Sequence, residues 1–281
     1  MPGESSLLPS TACDALKQPT MLSLHPPITH NPLLFSFSPP LLTNIKQVMT
    51  ILNIETSGKI CSVAITIDGQ LEMQLDDSEG MQHANKLAPF VDRCMQELTR
   101  REIPLDAVAV SIGPGSYTGL RIGLSLAKGL AFSLGIPLIG VDTLKILAVK
   151  AMFRSMDWTA EEILVPMIDA RRMEVFTAPY DFSLRPLAEP GPMILDADSF
   201  RDLLDAGRQL YFFGDGAEKA KQVISHPNAH WIEGLLPQAK DMLALSELAF
   251  RRQEFIDIAY STPQYLKAYQ TTKPKNSVLG R

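Results

Sequence analysis

The stretch Gly113-Pro-Gly-Ser-Tyr-Thr-Gly-Leu-Arg-Ile-Gly123 lies between an apolar run, Ala107–Ile112, and a long apolar segment, Leu120–Leu134. The run has the length of a buried strand, and the longer segment has the length of a helix. A strand, a glycine-rich turn and a helix bring backbone N–H groups and a helix N-terminus to one point, which suits an anion or the close approach of another backbone. The glycine spacing does not match the dinucleotide fingerprint, and no lysine follows that would make a P-loop. The stretch predicts a site within an α/β fold but leaves its ligand open.

Composition excludes several classes of protein. The chain has 281 residues, of which 46% are hydrophobic and 20% charged, as in globular proteins. Its net charge of −5 argues against binding nucleic acid over a broad basic surface. The three cysteines, Cys13, Cys61 and Cys94, have no C-x-x-C spacing, which favours a reducing compartment. No apolar run approaches the ~20 residues that span a bilayer, so we expect a cytoplasmic protein without a membrane partner.

The two ends of the chain differ from the rest in composition. Residues 1–48 contain eight prolines, few charges and no helical or strand period. We interpret them as a disordered extension, or as the product of an upstream start codon chosen in place of Met49. Residues 271–281 predict a flexible basic tail. The folded part is therefore expected between about residues 49 and 270.

Between these ends the predicted elements repeat one plan, βββαβαβα. In the first half, Ile51–Ile54, Lys59–Ile67 and Gln70–Leu75 predict three strands, and apolar residues at 3–4 spacing from Leu87 to Leu98 predict a helix. The run Ala107–Ile112 and its helix follow, then strand Pro137–Val141 and a helix capped by Asp142.

The second half repeats the plan more weakly. The predicted elements, in order, are strands Ile163–Ile168, Glu174–Ala178 and Leu184–Leu187, helix Ser199–Leu204, strand Leu210–Phe213, helix Ala217–Ile224, a strand near His230 and helix Ala239–Arg252. Strands joined by helices imply parallel pairing with helices covering the sheet. We therefore predict two α/β domains, residues 49–155 and 156–270. The plan is similar to the actin-like, sugar kinase and Hsp70 (ASKHA) architecture.

Four motifs resemble the TsaB (YeaZ) family, which in bacteria acts in making threonylcarbamoyladenosine next to the tRNA anticodon. They are Ile54-Glu-Thr-Ser57, the Gly113–Gly123 stretch, Ala127-Lys-Gly-Leu-Ala131, and Asp169-Ala-Arg-Arg172 with Glu174-Val-Phe176. The likeness is strong over about residues 51–180 and looser to Lys267. It implies an accessory subunit that binds and activates the catalytic paralogue TsaD.

The strand after the glycine stretch separates this chain from TsaD. In TsaD the equivalent strand leads to two histidines that bind a metal, and the positions that would hold them here are Thr143 and Leu147. A leucine cannot ligate a metal, and one threonine hydroxyl does not replace two imidazoles. The resemblance therefore implies a member without a catalytic residue or a metal site of its own.

The first hairpin and the glycine turn predict a phosphate or nucleotide cleft. Its candidate residues are Glu55, Thr56, Ser57, Gly113, Gly115 and Ser116. No cofactor is required by this interpretation, although the polar groups allow weak ATP or ADP binding. A rival hypothesis is an active ATPase or phosphotransferase that uses Glu55. Asp169, Arg171 and Arg172 are either exposed turn charges or contacts to the cleft, to tRNA or to a partner.

Small residues recur every four positions along the helix behind the glycine turn, which gathers them on one stripe. The stripe either packs inside the chain or meets a second protein together with the Leu87–Leu98 helix. The resemblance favours the second hypothesis, because TsaB and TsaD are thought to pair through these two helices. The predicted interface residues are Leu87, Val91, Cys94, Gly119, Gly123, Ala127 and Ala131.

The resemblance also implies the wider assembly. TsaD would form a heterodimer with this chain, the ATPase TsaE would join a larger complex, and tRNA would be contacted indirectly. The chain could also form a homodimer in isolation, and a purely homodimeric scaffold is the remaining alternative.

Overall fold

Two five-stranded sheets form the framework of the chain. The structure is a computed structural model, and it describes residues 48–79, 82–154, 158–159 and 161–266. The first sheet contains β1 Thr50–Glu55, β2 Cys61–Ile67, β3 Gln70–Asp77, β4 Ala107–Ser111 and β5 Leu138–Val141. The second contains β6 Glu162–Asp169, β7 Glu174–Thr177, β8 Gly191–Ile194, β9 Gln209–Phe213 and β10 Ala229–Ile232.

The two sheets have the same topology. The first runs in the order β3-β2-β1-β4-β5 and the second in the order β8-β7-β6-β9-β10. In each, the first three strands pair antiparallel and the last two join in parallel. This arrangement confirms the predicted α/β class and the repeated plan. The predicted division near residue 155 stays a prediction, since residues 155–157 lie outside the described part.

The helices connect the strands where the sequence predicts them, with shifted ends. They are α1 His83–Arg100, α2 Tyr117–Leu134, α3 Thr143–Met152, α4 Arg201–Asp205, α5 Ala217–Lys221 and α6 Leu243–Arg251, with a 3₁₀ helix at Ala239–Met242. Helix α3 begins behind Asp142, whose carboxylate accepts the N–H of Lys145, as predicted. The last predicted helix is divided, because its first turn is the 3₁₀ helix.

One predicted strand is wrong. Leu184–Leu187 lies outside the sheet, and the third strand of the second half is Gly191–Ile194. The Asp181 carboxylate accepts the N–H groups of Ser183 and Arg185 and curls this stretch into a turn. Leu184 adopts a positive φ of 58° within it. A carboxylate that bonds the backbone ahead of it competes with strand formation.

Each half of the chain lends a helix to the sheet of the other half. One face of the first sheet packs on α1 and α2, but the other face packs on the 3₁₀ helix and α6, which come from the end of the chain. Helix α3, which comes from the first half, packs on the second sheet through Leu144, Leu147 and Ala151. The second sheet's other face packs on α4 and α5. The repeated plan does not predict this exchange.

Regarding membranes, no helix in the described ranges is both long and apolar enough to cross a bilayer.

Candidate functional site

The glycine turn between β4 and α2 packs directly on the turn that follows β1. The N–H of Ser116 donates to the Ser57 carbonyl at 2.7 Å. The Ser116 hydroxyl accepts the N–H of Gly119 at 3.2 Å and so caps α2. This cap explains why α2 begins at Tyr117, three residues before the predicted start.

Glycine is required at these positions because another part of the chain occupies the space that a side chain there would need. A Cβ at Gly113 would overlap the Thr143 backbone, and one at Gly115 would overlap the Ser57 carbonyl. Gly119 and Gly123 lie in the same way against Thr56, through its carbonyl and its hydroxyl. The glycine pattern thus encodes close internal packing between the two turns and α2.

All six predicted cleft residues are brought together by this packing. Glu55, Thr56, Ser57 and Gly113 are buried, whereas Ser116 is exposed. Buried oxygens of Glu55, Thr56 and Ser57 have no hydrogen-bond partner in the described part of the chain. The polar groups of the site therefore lie beneath the turn, and the backbone of the chain covers them.

Glu55 is the most perturbed acid of the site. Its Oε1 accepts the N–H of Ser57 at 2.6 Å, and the side chain is fully buried. Burial raises the pKa of Glu55 to about 7, hydrogen bonds from Ser57 and Ser111 oppose this rise, and the charge of Asp241 adds to it. A large fraction of the carboxyl is therefore protonated near neutral pH.

A small cavity lies between the two halves, beside Thr143 and Leu147. It has a volume of about 20 Å³ and is lined by Ser57, Gly58, Thr143, Leu147, Ile168, Asp215, Leu236 and Pro237. The hydroxyls of Ser57 and Thr143 have no partner among the described residues. This volume has room for about one water molecule and is far below the ~300 Å³ of a small-molecule site.

The predicted residues Asp169, Arg171 and Arg172 form the turn between β6 and β7. The Asp169 carboxylate accepts the N–H of Arg171 at 2.6 Å and is paired with Lys219. Burial opposes ionisation, but hydrogen bonds from Lys219 and Arg171 and the charges of Lys219 and Lys59 hold the pKa of Asp169 below its usual value. The structure thus places this turn within electrostatic reach of Lys59, at the start of the first half's own hairpin.

The residues predicted for the partner interface lie inside the chain, and their contact with a partner stays a prediction. All seven predicted residues, Leu87, Val91, Cys94, Gly119, Gly123, Ala127 and Ala131, are buried within the chain itself. The apolar members of this set belong to the core between the first sheet and the two helices. Spacing every four residues identifies a shared helix face but not what covers it, and here the sheet and Thr56 cover it.

A groove nevertheless lies on the outer side of α1 and α2. Its volume is about 540 Å³, and its lining is Ala84, Leu87, Ala88, Arg121, Ile122, Ser125 and Leu126. Further along α2, Gly129 is exposed, and a Cβ there would meet no atom within 4 Å. Unlike the glycines near Thr56, Gly129 is not explained by contacts within the described chain.

Sequence reasoning missed the residues that follow α6. The chain returns to the glycine turn, where the N–H of Gln264 donates to the Ile112 carbonyl at 2.7 Å. The Tyr265 ring lies 5.2 Å from the ring of Tyr117, between centroids, and the Arg121 guanidinium lies over Tyr117. Lys59, Asp215 and Lys219 were also missed, because isolated charged residues carry no pattern.

Comparisons with known proteins agree with these features. A family model described as "TsaD: tRNA N6-adenosine threonylcarbamoyltransferase" matches residues 79–275. The Bacillus subtilis protein called tRNA threonylcarbamoyladenosine biosynthesis protein TsaB is 31% identical, over 78% of this chain and 94% of its own length. Its Escherichia coli namesake is 28% identical over 78% and 95%. A solved structure of YeaZ from Pseudomonas aeruginosa is similar with a TM-score of 0.62 and 28% identity, over 78% of this chain and all of that one.

Proposed function

The chain belongs to the TsaB family of tRNA threonylcarbamoyladenosine biosynthesis, and we propose that within that biosynthesis it is a non-catalytic partner that binds and activates TsaD. TsaE would join the same assembly, and tRNA would be the substrate of the complete complex. Weak ATP or ADP binding at the glycine turn stays a prediction.

The chemistry of the cleft supports a non-catalytic role. Within the described ranges, no group of three or more His, Cys, Asp and Glu side chains could hold a metal ion. Leu147 places an aliphatic side chain in the cavity where TsaD has a ligand. Glu55, the acid that the ATPase hypothesis requires, is fully buried. A substrate phosphate could reach it only if the packing around it were opened.

The groove between α1 and α2 is the observation that carries the proposed partnership. Its floor is formed by small and apolar side chains, with Arg121 as its charged residue. A lining of this kind accepts the apolar face of a partner helix, and arginine is frequent among the residues that contribute most to such interfaces. Gly129 extends the surface, because a glycine without neighbours in a helix costs stability and allows a second backbone to approach closely.

Charge introduced into the groove tests the partnership. Ala88→Glu and Ser125→Glu change exposed positions on the two helices, so we expect the fold to persist while affinity for TsaD falls at least about tenfold. Gln96→Glu, also exposed on α1 but outside the groove, is the matched control and should bind normally. Isothermal titration calorimetry with purified TsaD measures the effect.

Two results would contradict the proposal. Unchanged affinity in both groove variants would show that TsaD does not use this surface, and a homodimer that ignores added TsaD would favour the scaffold alternative. ATP turnover by the isolated chain that is lost in Glu55→Gln would instead support the enzyme hypothesis.

A further inference from the structure

The turn between β6 and β7 holds two consecutive arginines in the left-handed backbone region. Arg171 has a φ of 69° and Arg172 a φ of 49°. Residues with a Cβ adopt this region at an energetic cost, and glycine or asparagine is the usual choice. Positive φ is common in tight hairpin turns, and the N–H of Ala170 bonds the Glu174 carbonyl across this one, so the backbone conformation at both arginines is fixed.

The backbone of the turn is held by charged groups beneath it. The Lys219 ammonium donates to the carbonyls of Arg172 and Glu174, at 2.6 and 2.9 Å, and pairs with the Asp169 carboxylate. Asp215 in turn accepts the N–H of Asp169 at 2.9 Å. Both aspartates nearest the turn are therefore engaged with Lys219 or with backbone N–H groups.

The two guanidinium groups remain available on the surface. Both arginines are exposed, and neither forms an ion pair or hydrogen bond through its side chain within the described residues. Lys59, at the start of the first half's hairpin, is exposed and equally unpaired there, and its charge reaches Asp169 and Asp215. Gly58, next to Lys59, lines one small cavity together with Asp215, which holds the Asp169 N–H, so Lys59 and the arginine turn border the same region of a chain whose net charge is −5.

We propose that Arg171 and Arg172, assisted by Lys59, bind the phosphodiester backbone of RNA. Guanidinium groups match the geometry of phosphate oxygens, and a fixed backbone lowers the entropy lost when they bind. Neither arginine lines the groove on α1 and α2 or the cavity beside Thr143, so the turn is a separate surface. The inference rests on the proposed function, which makes tRNA the RNA in question.

The test measures how RNA affinity depends on salt. The complex of this chain with TsaD is titrated into a fluorescein-labelled tRNA transcript at 50–200 mM KCl, and anisotropy gives the affinity. Each phosphate contact contributes about −0.7 to −0.9 to the slope of log K against log salt, so Arg171→Ala with Arg172→Ala should flatten the slope by about 1.4 to 1.8. Affinity at 100 mM KCl should fall at least about fivefold. Lys59→Ala should flatten the slope by about 0.7 to 0.9.

Three further variants distinguish the effect of the positive charge, the effect of the positive-φ backbone and the effect of the position of the arginines. Lys at both arginine positions keeps the charge and should keep most of the slope. Gly at both positions removes charge and strain together, so it should weaken RNA binding while raising the Tm by about 2 °C or more. Arg251→Ala with Arg252→Ala removes two exposed arginines from the region of α6 and should leave the slope unchanged.

The outcomes distinguish this inference from the proposed function. If TsaD binds normally but the alanine pair leaves the slope unchanged, the inference is wrong and the proposed function stands. If the alanine pair weakens binding to TsaD and not to RNA, the turn is a protein contact and the inference is equally wrong. If the wild-type chain does not bind TsaD, the proposed function fails, and the same titration with the chain alone decides whether the turn binds RNA.

Discussion

Glu55 shows how far a single residue can be interpreted from sequence. Its position after a buried strand predicts a polar group at the site, and the structure places it there. The sequence does not predict that the side chain is fully buried, nor that one carboxylate oxygen has no partner in the described chain. The charge that raises its pKa further comes from Asp241, a distant residue that no local pattern indicates.

The raised pKa of Glu55 predicts a pH dependence of stability. Between its unfolded value of about 4.5 and its folded value of about 7, the folded state keeps a proton that the unfolded chain releases. The free energy of unfolding therefore falls as pH rises through this window, by about 3 kcal/mol in total, and the contribution is level above pH 7. Urea unfolding between pH 5 and 8 measures it.

Glu55→Gln is the control for this dependence. The variant cannot titrate, so the difference in unfolding free energy between it and the wild type should itself change with pH over the same window. Asp142, whose pKa is also raised by burial, is present in both proteins and cancels. A difference that is constant from pH 5 to 8 would show that Glu55 is already ionised at pH 5.

Helix α2 shows what the spacing of residues can and cannot predict about a single element. Its existence, its last residue and its small-residue stripe are predicted from spacing, and the structure confirms the helix with a start at Tyr117. The direction of the stripe could not be predicted, because the repeat leaves open whether the sheet or a partner covers it. The glycines divide by environment: Gly119 and Gly123 lie against Thr56, while Gly129 faces open space.

This division predicts opposite effects of one substitution within one helix. Gly123→Ala places a methyl group on the Thr56 hydroxyl and should destabilise the protein by about 2 kcal/mol or more, as overpacking does. Gly129→Ala meets nothing and should stabilise it by up to about 1 kcal/mol through helix propensity. Thermal melts of the two variants make the comparison, and equal shifts would refute the assignment of the two faces.

At the scale of the whole molecule, the repeat was predictable and the exchange of helices was not. Two copies of one strand-and-helix order follow from periodicity within each half. The packing of α3 on the second sheet and of α6 on the first depends on where distant segments meet. Lys150 on α3 links the two exchanged segments, because its ammonium donates to Gln238 at 2.7 Å and to Asp241 at 2.9 Å.

The ion pair that links the two exchanged segments is expected to matter more for stability than an exposed ion pair. Lys150 and Asp241 are largely buried, with 18% and 9% of their side chains exposed, so Lys150→Ala leaves a buried carboxylate without its cation. We expect a loss of about 3 kcal/mol in urea unfolding. Arg251→Ala breaks an exposed pair with Glu247 and should cost less than about 1 kcal/mol. Similar losses in both variants would mean that the packing of the exchanged segments is not fixed by this pair.

The exchange of helices also has a consequence for synthesis on the ribosome. One face of the first sheet, including Ile51, Ala109 and Val141, is covered by Met242 and its neighbours, which are translated roughly 100 residues after β5. At a translation rate of about 5 to 20 residues per second, that apolar face stays exposed for about 5 to 20 s before the segment around Met242 has been synthesised. A nascent chain of this protein therefore offers a binding surface to chaperones throughout the second half of its translation. A stop codon before Ala239 would leave the surface permanently open.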